Sequence, residues 1–540
     1  MKKRFSILSL LIAIVMCVSA VGYAMEAQPK QAETPLTTSG ETLVVYCDFN
    51  AAQASVYSDL REHPVIKKIE EETGVTLKFM HPPVNDDGTF FNTTIASGEW
   101  PDLYYTDKFH TTYPGGVEGA MDDGILLNVD DLIPEYAPLF LQMVEEYDEG
   151  DGYIKNGIYG DNGAIVKLGS MFLAPYVNAR VHYGPMVRAD LLEKYGLEAP
   201  VTLDEYTEVL RTFKENGVQV PLALCNIFSQ AGFYNSNFIS SAFGVTWNDF
   251  QLVNGKVAYS MMLDGYRELV EFLKGWADEG LIDRDSVNRS LDDCLKVFEN
   301  GTAGMIVSHN SNTTTVLTVG RTFDPDYAEK GLVFARKNAD DVLHLARIVY
   351  SLNNYSWQVS ASCKNPVLAV KFINYLYDDD TRLLTAWGPG DDAYPTFTVD
   401  ENGMRTFSDF MYNNPNYDFT TARQLYTLNT FQVQYDDMME RQQYYLDEQL
   451  DNWLSWITDN DDADKIPALV TMSIDESREY SDIMSKVNNY VEEQVYAFIF
   501  GDRPIEEFDN FTAQIKSLGI ERACELKQAA YARYMARSAN

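Results

Sequence analysis

The sequence predicts an α/β fold divided into more than one domain. Three observations carry that expectation. Strand-like and helix-like segments alternate over several hundred residues, no internal repeat interrupts them, and 540 residues can bury a large core and then divide. A composition of 46% apolar and 13% aromatic residues is that of a globular chain.

The amino terminus, MKKRFSILSLLIAIVMCVSAVGYA, sets Lys2, Lys3 and Arg4 before an uncharged run from Phe5 to Tyr23. Gly22 and Ala24 are the small residues that precede a cut after Ala24, so residues 1–24 have the layout of a secretory signal. A retained membrane anchor would need a longer apolar span. Residues 25–41 are polar and aperiodic and read as a flexible linker. Leu43 to Phe49 is an apolar run of strand length, His63 to Glu72 an amphipathic helix stopped by Gly74, and Val75 to Met80 a second strand. Strand, helix and strand at this range predict a right-handed crossover and a parallel pair. In SGEWPDLYY, Ser97 to Tyr105, Gly98 and Pro101 shape a loop. Its Trp100 and Asp102 are expected at the carboxyl side of the layer, where open sheets bind ligands. Asn156–Gly157 and Asn254–Gly255 are hairpin turn cues.

Arg188 to Tyr195 reads as a short helix closed by Gly196, and Pro200 keeps the next link extended. Thr202 and Glu205 stand at capping-box spacing ahead of a helix with Leu203, Tyr206, Leu210 and Phe213 on one face. Pro221 to Leu224 is a short strand. Tyr266, Leu269, Val270, Leu273, Trp276 and Ala277 form a helical stripe, in which Trp276 is a core residue. Val349 to Ser362 turns strand-like around Trp357, and Asn365 with Pro366 starts another helix. The tail is helical, opened by the capping pair Ser473 and Glu476.

A formal charge of -38 argues against a nucleic-acid partner and favours a neutral ligand over a polyanionic one. Of the six cysteines, five would remain after cleavage at Ala24, too widely spaced for a disulfide framework or a paired zinc motif. One bridge or buried free thiols are the readings left open. None of HExxH, GxSxG, a Walker loop or GxGxxG occurs, so no enzyme and no cofactor is expected.

The order aromatic residue, Arg188-x-Asp190, short helix, Gly-Leu-x-x-Pro, Thr-x-x-Glu, long helix resembles the extracellular solute-binding proteins of ABC importers. Within them it is similar to the large family 1 branch associated with oligosaccharides. SGEWPDLYY, FENGTAGMIVSHN and the tail FIFGDRPIEEFDNFTAQIKSLGIERACELKQAAYARY carry the same likeness across residues 42–537. The branch usually has Trp after Arg-x-Asp, where Leu191 stands here. The resemblance implies a two-lobed, type II periplasmic-binding-protein-like fold with a hinge and a helical carboxyl-terminal region. It divides the chain into lobe 1 at 42–165 plus 347–400 and lobe 2 at 166–346 plus 401–540. Also implied are export, with Cys17 as an alternative lipid-anchoring site behind an atypical Met16, and partnership with the transmembrane subunits of a permease. The chain is expected to act as a monomer. Some members carry a calcium loop before the strand at Pro221. Here only Glu215, Asn216 and Gly217 intervene, so no metal is expected.

A sugar site needs flat aromatic surface for C–H faces and polar groups for hydroxyls. Trp100, Trp247, Trp357, Trp387 and Tyr394 lie in or beside expected loops and strand ends and are the aromatic candidates, against the alternative of packing. Asp48 and Asn50 end the first strand and would bond hydroxyls or cap a turn. Asp102 would accept from ligand or cap the next segment. Arg188 would reach the cleft, as the family motif implies, or pair with Asp190. Asn235 near Trp247, and His309 with Asn310 after the Gly-Met strand, complete the candidates. A peptide-binding importer subunit, a surface sugar sensor and a secreted glycosidase are the rival functions.

Overall fold

A computed structural model describes residues 31–537 except 85, 87, 149–152, 172–180, 182, 226–236, 283, 346–351, 402, 429–430, 432–445 and 468. The expected signal and the candidate site residue Asn235 lie outside the described residues. In chain order the strands are β1 (Thr42–Cys47), β2 (Thr76–Met80), β3 (Leu103–Thr106), β4 (Leu168–Met171), β5 (Tyr183–Arg188) and β6 (Val220–Ala223). They continue with β7 (Phe250–Val253), β8 (Lys256–Tyr259), β9 (Ala303–His309), β10 (Glu329–Gly331), β11 (Leu352–Val359), β12 (Phe397–Val399) and β13 (Arg405–Phe407). Among the described residues they form two larger sheets, ordered β2-β1-β3-β11-β4 and β10-β5-β9-β6, and two two-stranded ones, β7-β8 and β12-β13.

In the first sheet β1 runs parallel to β2 and β3, as the strand-helix-strand pattern requires, and β11 is antiparallel to both β3 and β4. The intervening helix Pro64–Thr73 has His63 as its cap, proline at its first turn and Gly74 in the left-handed conformation at its end. Val65, Ile66 and Ile69 go to the core beneath β1. In the second sheet β5 is antiparallel to β9 and β10, and β6 is parallel to β9. The helix Leu203–Glu215 has its capping box formed and buries Leu203, Tyr206, Val209, Leu210 and Phe213. Asn254 and Gly255 make the β7–β8 turn with φ of 52° and 75°, the left-handed pair that a two-residue hairpin wants.

Each sheet has its own large core, one containing Leu43, Val45, Leu103 and Trp357, the other Met186, Val187, Tyr206 and Trp276. The chain passes between them repeatedly. Leu469 packs in the first core, the helix Ile474–Ile499 in the second, and the helix Ile520–Arg537 starts in the second and ends with Tyr534 in the first. No helix among the described residues is long and apolar enough to cross a membrane.

Several local expectations change. β4 pairs with β11, so residues 168–171 belong to the first sheet. Beyond residue 400, β13 and the helix Phe419–Tyr426 pack around Trp387 and Phe407, and the Phe419–Tyr426 helix leans on the helix Ala51–Val56 of lobe 1. Asn156–Gly157 sits inside the helix Tyr153–Ile158, because Gly157 lies against Leu352 and Leu469 where a side chain would not fit. The linker is tied down near its end. Ala32 N–H donates to Asp378 (2.6 Å), Leu36 N–H donates to Thr73 O (2.8 Å), and Leu36 packs on the first core. None of Cys47, Cys225, Cys294, Cys363 and Cys524 is in a disulfide.

Candidate ligand-binding site between the lobes

The carboxyl ends of β1 and β3 and the start of β11 share one edge of the first sheet, since Ser356 pairs with Thr106 and β1 and β3 run together. That edge presents Asp48, Asp107, Lys108 and Tyr355. Tyr355 donates its hydroxyl to Asp48 (2.7 Å), and burial together with that carboxylate keeps the phenol protonated. Asp107 lies within 3.7 Å of the Lys108 ammonium. Burial, opposed by Lys108 and reinforced by Asp48, raises its pKa. One oxygen of Asp107 has no hydrogen-bond partner among the described residues. Two neighbouring carboxylates with unused lone pairs are strong acceptors for hydroxyl groups.

The loop bearing Asp48 is held by His81. The imidazole stacks between Phe49 (4.5 Å, 19°) and Phe79 (5.4 Å, 9°). Leu60 N–H donates to Nε2 (3.3 Å), so the proton sits on Nδ1 and is donated to Cys47 O (3.1 Å). Burial lowers the pKa of this ring, in keeping with a neutral wedge.

The corresponding edge of the second sheet carries Tyr183 and His309, which pair across β5 and β9 with rings 4.8 Å apart at 82°. His309 Nδ1 accepts from Ser311 N–H (3.0 Å), which places its proton on Nε2. A ligand between the two edges meets strand ends from both lobes, the position that open α/β sheets use.

The candidates read from the sequence divide sharply. Asp48 and His309 are on these edges. Asn50 caps the helix Ala51–Val56 through Gln53 N–H (2.9 Å). Trp100 and Asp102 stand at the amino end of β3, opposite to the expectation: the Trp100 indole donates to Ile95 O (3.1 Å), and Asp102 accepts from Val44 N–H (2.9 Å), fastening β1. Arg188 ends β5, five residues or about 17 Å along the strand from Tyr183. It forks onto Asp190 (2.7 and 2.5 Å) and stacks on Tyr327 (3.9 Å). Trp247, Trp357 and Trp387 are fully buried, against Tyr266, Tyr105 and Phe407 respectively. Tyr394 is half-buried near Tyr426 (5.9 Å) in the segment after residue 388. Of the seven tryptophans only Trp100 is more than slightly exposed.

Asn310 is also buried. It donates to Gln449 O (2.8 Å) and accepts from Asn452 (3.3 Å), which in turn bonds Glu329 (3.1 Å) and takes the Gly331 N–H. This network seats the helix Asp447–Ile457 on the second sheet. Glu329 is 3% exposed, and burial, only partly offset by Asn452 and Thr313, raises its pKa to about 7. A carboxyl whose folded pKa exceeds its unfolded value favours the fold below the unfolded pKa, and that contribution is lost as pH rises through 7. Glu329→Gln is therefore expected to gain stability over the wild type at pH 8, by up to ~3 kcal/mol, and almost nothing at about pH 4, below the unfolded carboxyl pKa. Urea titrations at the two pH values check this, and a difference independent of pH defeats it.

Sequence reasoning missed Asp107, Lys108, Tyr355 and Tyr183. The available signal was position, because Asp107 and Lys108 follow β3 immediately and so inherit its carboxyl end.

Two cores, crossing segments between them and a binding edge on each sheet define a solute-binding protein of the two-lobed class. The family model described as bacterial extracellular solute-binding protein matches residues 59–382, and the chain belongs to that family. The fructooligosaccharide ABC transporter substrate-binding protein FusA of Streptococcus pneumoniae serotype 4 is 22% identical over 513 residues, 88% of either chain. Among solved structures, an HMO-binding, ABC-transporter-associated solute-binding protein from Bifidobacterium longum infantis matches with a TM-score of 0.74 at 17% identity, over 92% of this chain and 99% of that one. The alginate-binding protein AlgQ2 matches with a TM-score of 0.66 at 19% identity, over 93% and 100%. These likenesses establish the shared fold.

Proposed function

We propose that this protein captures an oligosaccharide between its lobes outside the cell membrane and hands it, chemically unchanged, to the transmembrane subunits of an ABC importer. The feature that supports the reading is a polar edge at strand ends in each sheet, Asp48, Asp107 and Tyr355 on one and Tyr183 and His309 on the other. Each lobe offers half of the contacts, so only a closed arrangement satisfies a ligand rich in hydroxyls, and binding selects that arrangement. The saccharide ligands in the names of FusA and of the Bifidobacterium protein support the same class. A cut after Ala24 would release the protein, whereas lipidation at Cys17 would tether it; the mass of the mature amino-terminal peptide distinguishes the two.

A thermal-shift screen against oligosaccharides, short peptides and amino acids tests the reading. A ligand at a hundred times its Kd stabilises the folded state by ~2.7 kcal/mol, so the cognate saccharide should raise the Tm by several degrees. Its addition should also reduce the radius of gyration in solution scattering. Stabilisation by peptides alone, or turnover of a glycoside, would replace the reading with one of its rivals.

A further inference from the structure

One helix, Asp447–Ile457, supports both residues that the second sheet brings to its edge. Gln449, Asn452, Trp453 and Trp456 are its buried residues, spaced as one helical stripe. Trp456 lies on the strand that bears Tyr183. Its indole donates to Pro185 O (3.0 Å), and a side chain at Gly184 would collide with the ring, so glycine is what lets the helix come this close. Gln449 and Asn452 lie against the turn Asn310–Asn312, which follows His309. Asn310 Nδ2 donates to Gln449 O (2.8 Å), and Gln449 Nε2 donates back to Asn310 O (3.2 Å). His309 caps this turn by taking the Ser311 N–H on Nδ1, so the imidazole moves with it.

Asn452 is the junction of the support. The Gly331 N–H can only donate, so the atom it meets is Asn452 Oδ1 and the amide nitrogen points the other way. That nitrogen reaches Asn310 Oδ1 (3.3 Å), Thr313 Oγ1 (3.1 Å) and the Glu329 carboxyl (3.1 Å). The Thr313 hydroxyl also reaches Asn310 Oδ1 (3.3 Å) and Glu329. With Glu329 neutral, its O–H goes to Thr313 and the Thr313 hydroxyl to Asn310. The two amide hydrogens of Asn452 then go to Asn310 and to the other Glu329 oxygen, and every group is served. An ionised Glu329 brings one donor fewer and draws Asn452 and Thr313 toward itself, away from Asn310.

The surroundings do little to neutralise an ionised Glu329. Glu448 on the supporting helix and Arg321 on the helix Thr313–Phe323 pair with each other (3.3 Å). Arg188, opposite Glu329 on β5, is forked onto Asp190, and Tyr327 adds a phenol. Burial is therefore the main influence on the carboxyl and favours its neutral form.

We propose that Asn452 is a positioning residue for ligand capture: by holding Asn310 it fixes the turn that aims His309, and it does so fully only while Glu329 keeps its proton. The proposal rests on the saccharide-capture reading and adds a regulation to that site. Capture is tighter in mildly acidic than in mildly alkaline surroundings, because the ring of hydrogen bonds behind His309 is complete only in the former.

The first test needs no ligand. The full mature chain is labelled with carbon-13 at its six histidines, and loss of a signal in His309→Gln identifies the His309 ring. In the wild type that signal should shift twice with pH, once on its own titration, which burial lowers, and again near about 7 as Glu329 ionises. Glu329→Gln is neutral throughout and still donates, so it should keep only the first shift. The second test is calorimetric titration with maltotriose, cellotriose, raffinose and kestose, and with any further saccharide that raises the Tm in the screen. Wild-type affinity should fall roughly fivefold between about pH 6 and about pH 8.5 beyond any change in Glu329→Gln, since other groups that titrate at the site are common to both proteins. Asn452→Ala, with circular dichroism unchanged, should bind roughly tenfold more weakly at about pH 6. If that variant does not fold, Glu329→Gln decides the matter alone. A single shift of His309 in the wild type, equal pH dependence in wild type and Glu329→Gln, or wild-type affinity in Asn452→Ala would each overturn the proposal and leave saccharide capture standing. If no saccharide binds the wild type, the capture reading has failed and the proposal falls with it.

Discussion

Trp357→Ala is expected to destabilise lobe 1 by about 3–5 kcal/mol, the range for removing a large buried aromatic side chain. The indole is fully buried, with ring centres 4.9 Å from both Tyr105 and Phe431 and 6.0 Å from Phe372. It sits on β11, which lies between β3 and β4 and enters the first sheet only after the chain has returned from the second. Its loss therefore opens a cavity and loosens the strand that joins the two halves of that sheet. The indole N–H has no hydrogen-bond partner among the described residues. Trp357→Phe, which deletes that unpaired donor and keeps most of the ring, should consequently be much milder than alanine. Urea denaturation followed by circular dichroism measures both. A Trp357→Ala protein as stable as the wild type would refute the packing role.

Asp48→Ala is expected to weaken saccharide binding by roughly 10–100-fold, because a carboxylate accepting from a ligand hydroxyl contributes ~1.5–3 kcal/mol. The free protein should change little in Tm, since the carboxylate's partner, Tyr355, would still reach solvent at the edge. Tyr355→Phe should have a smaller effect in the same direction, as it removes only the group that orients Asp48. Titration calorimetry with the saccharide found by screening gives both values. Unchanged affinity in Asp48→Ala would remove the first sheet's edge from the site and leave the capture reading without its main support in lobe 1.

Much of the fold was legible because it is written locally. The capping boxes at Thr202 and Ser473, the proline-led helix after Asn365 and the left-handed stops at Gly74 and Gly196 formed where their residues required. Each is decided within four or five residues, by hydrogen bonds that the backbone makes wherever the segment lies. The Asn254–Gly255 turn formed for the same reason. Asn156–Gly157 did not, because contacts with Leu352 and Leu469, some 200 and 300 residues away, put that dipeptide in a helix.

The binding site obeyed a different rule. Nothing in the neighbourhood of Trp247, Trp357 or Trp387 distinguishes a ring for a ligand from a ring for the core; their partners Tyr266, Tyr105 and Phe407 do. Asp102 and Asp107 are five residues apart on the two sides of β3, one fastening β1 and the other facing the lobes. Sequence alone set the alternating elements, their stops and starts, and the family to which they belong. Which ends of the strands face the second lobe, which charges meet across the crossing segments and which aromatics stay dry were decided only when two sheets packed, because those properties belong to pairs of distant residues and not to any one stretch of chain.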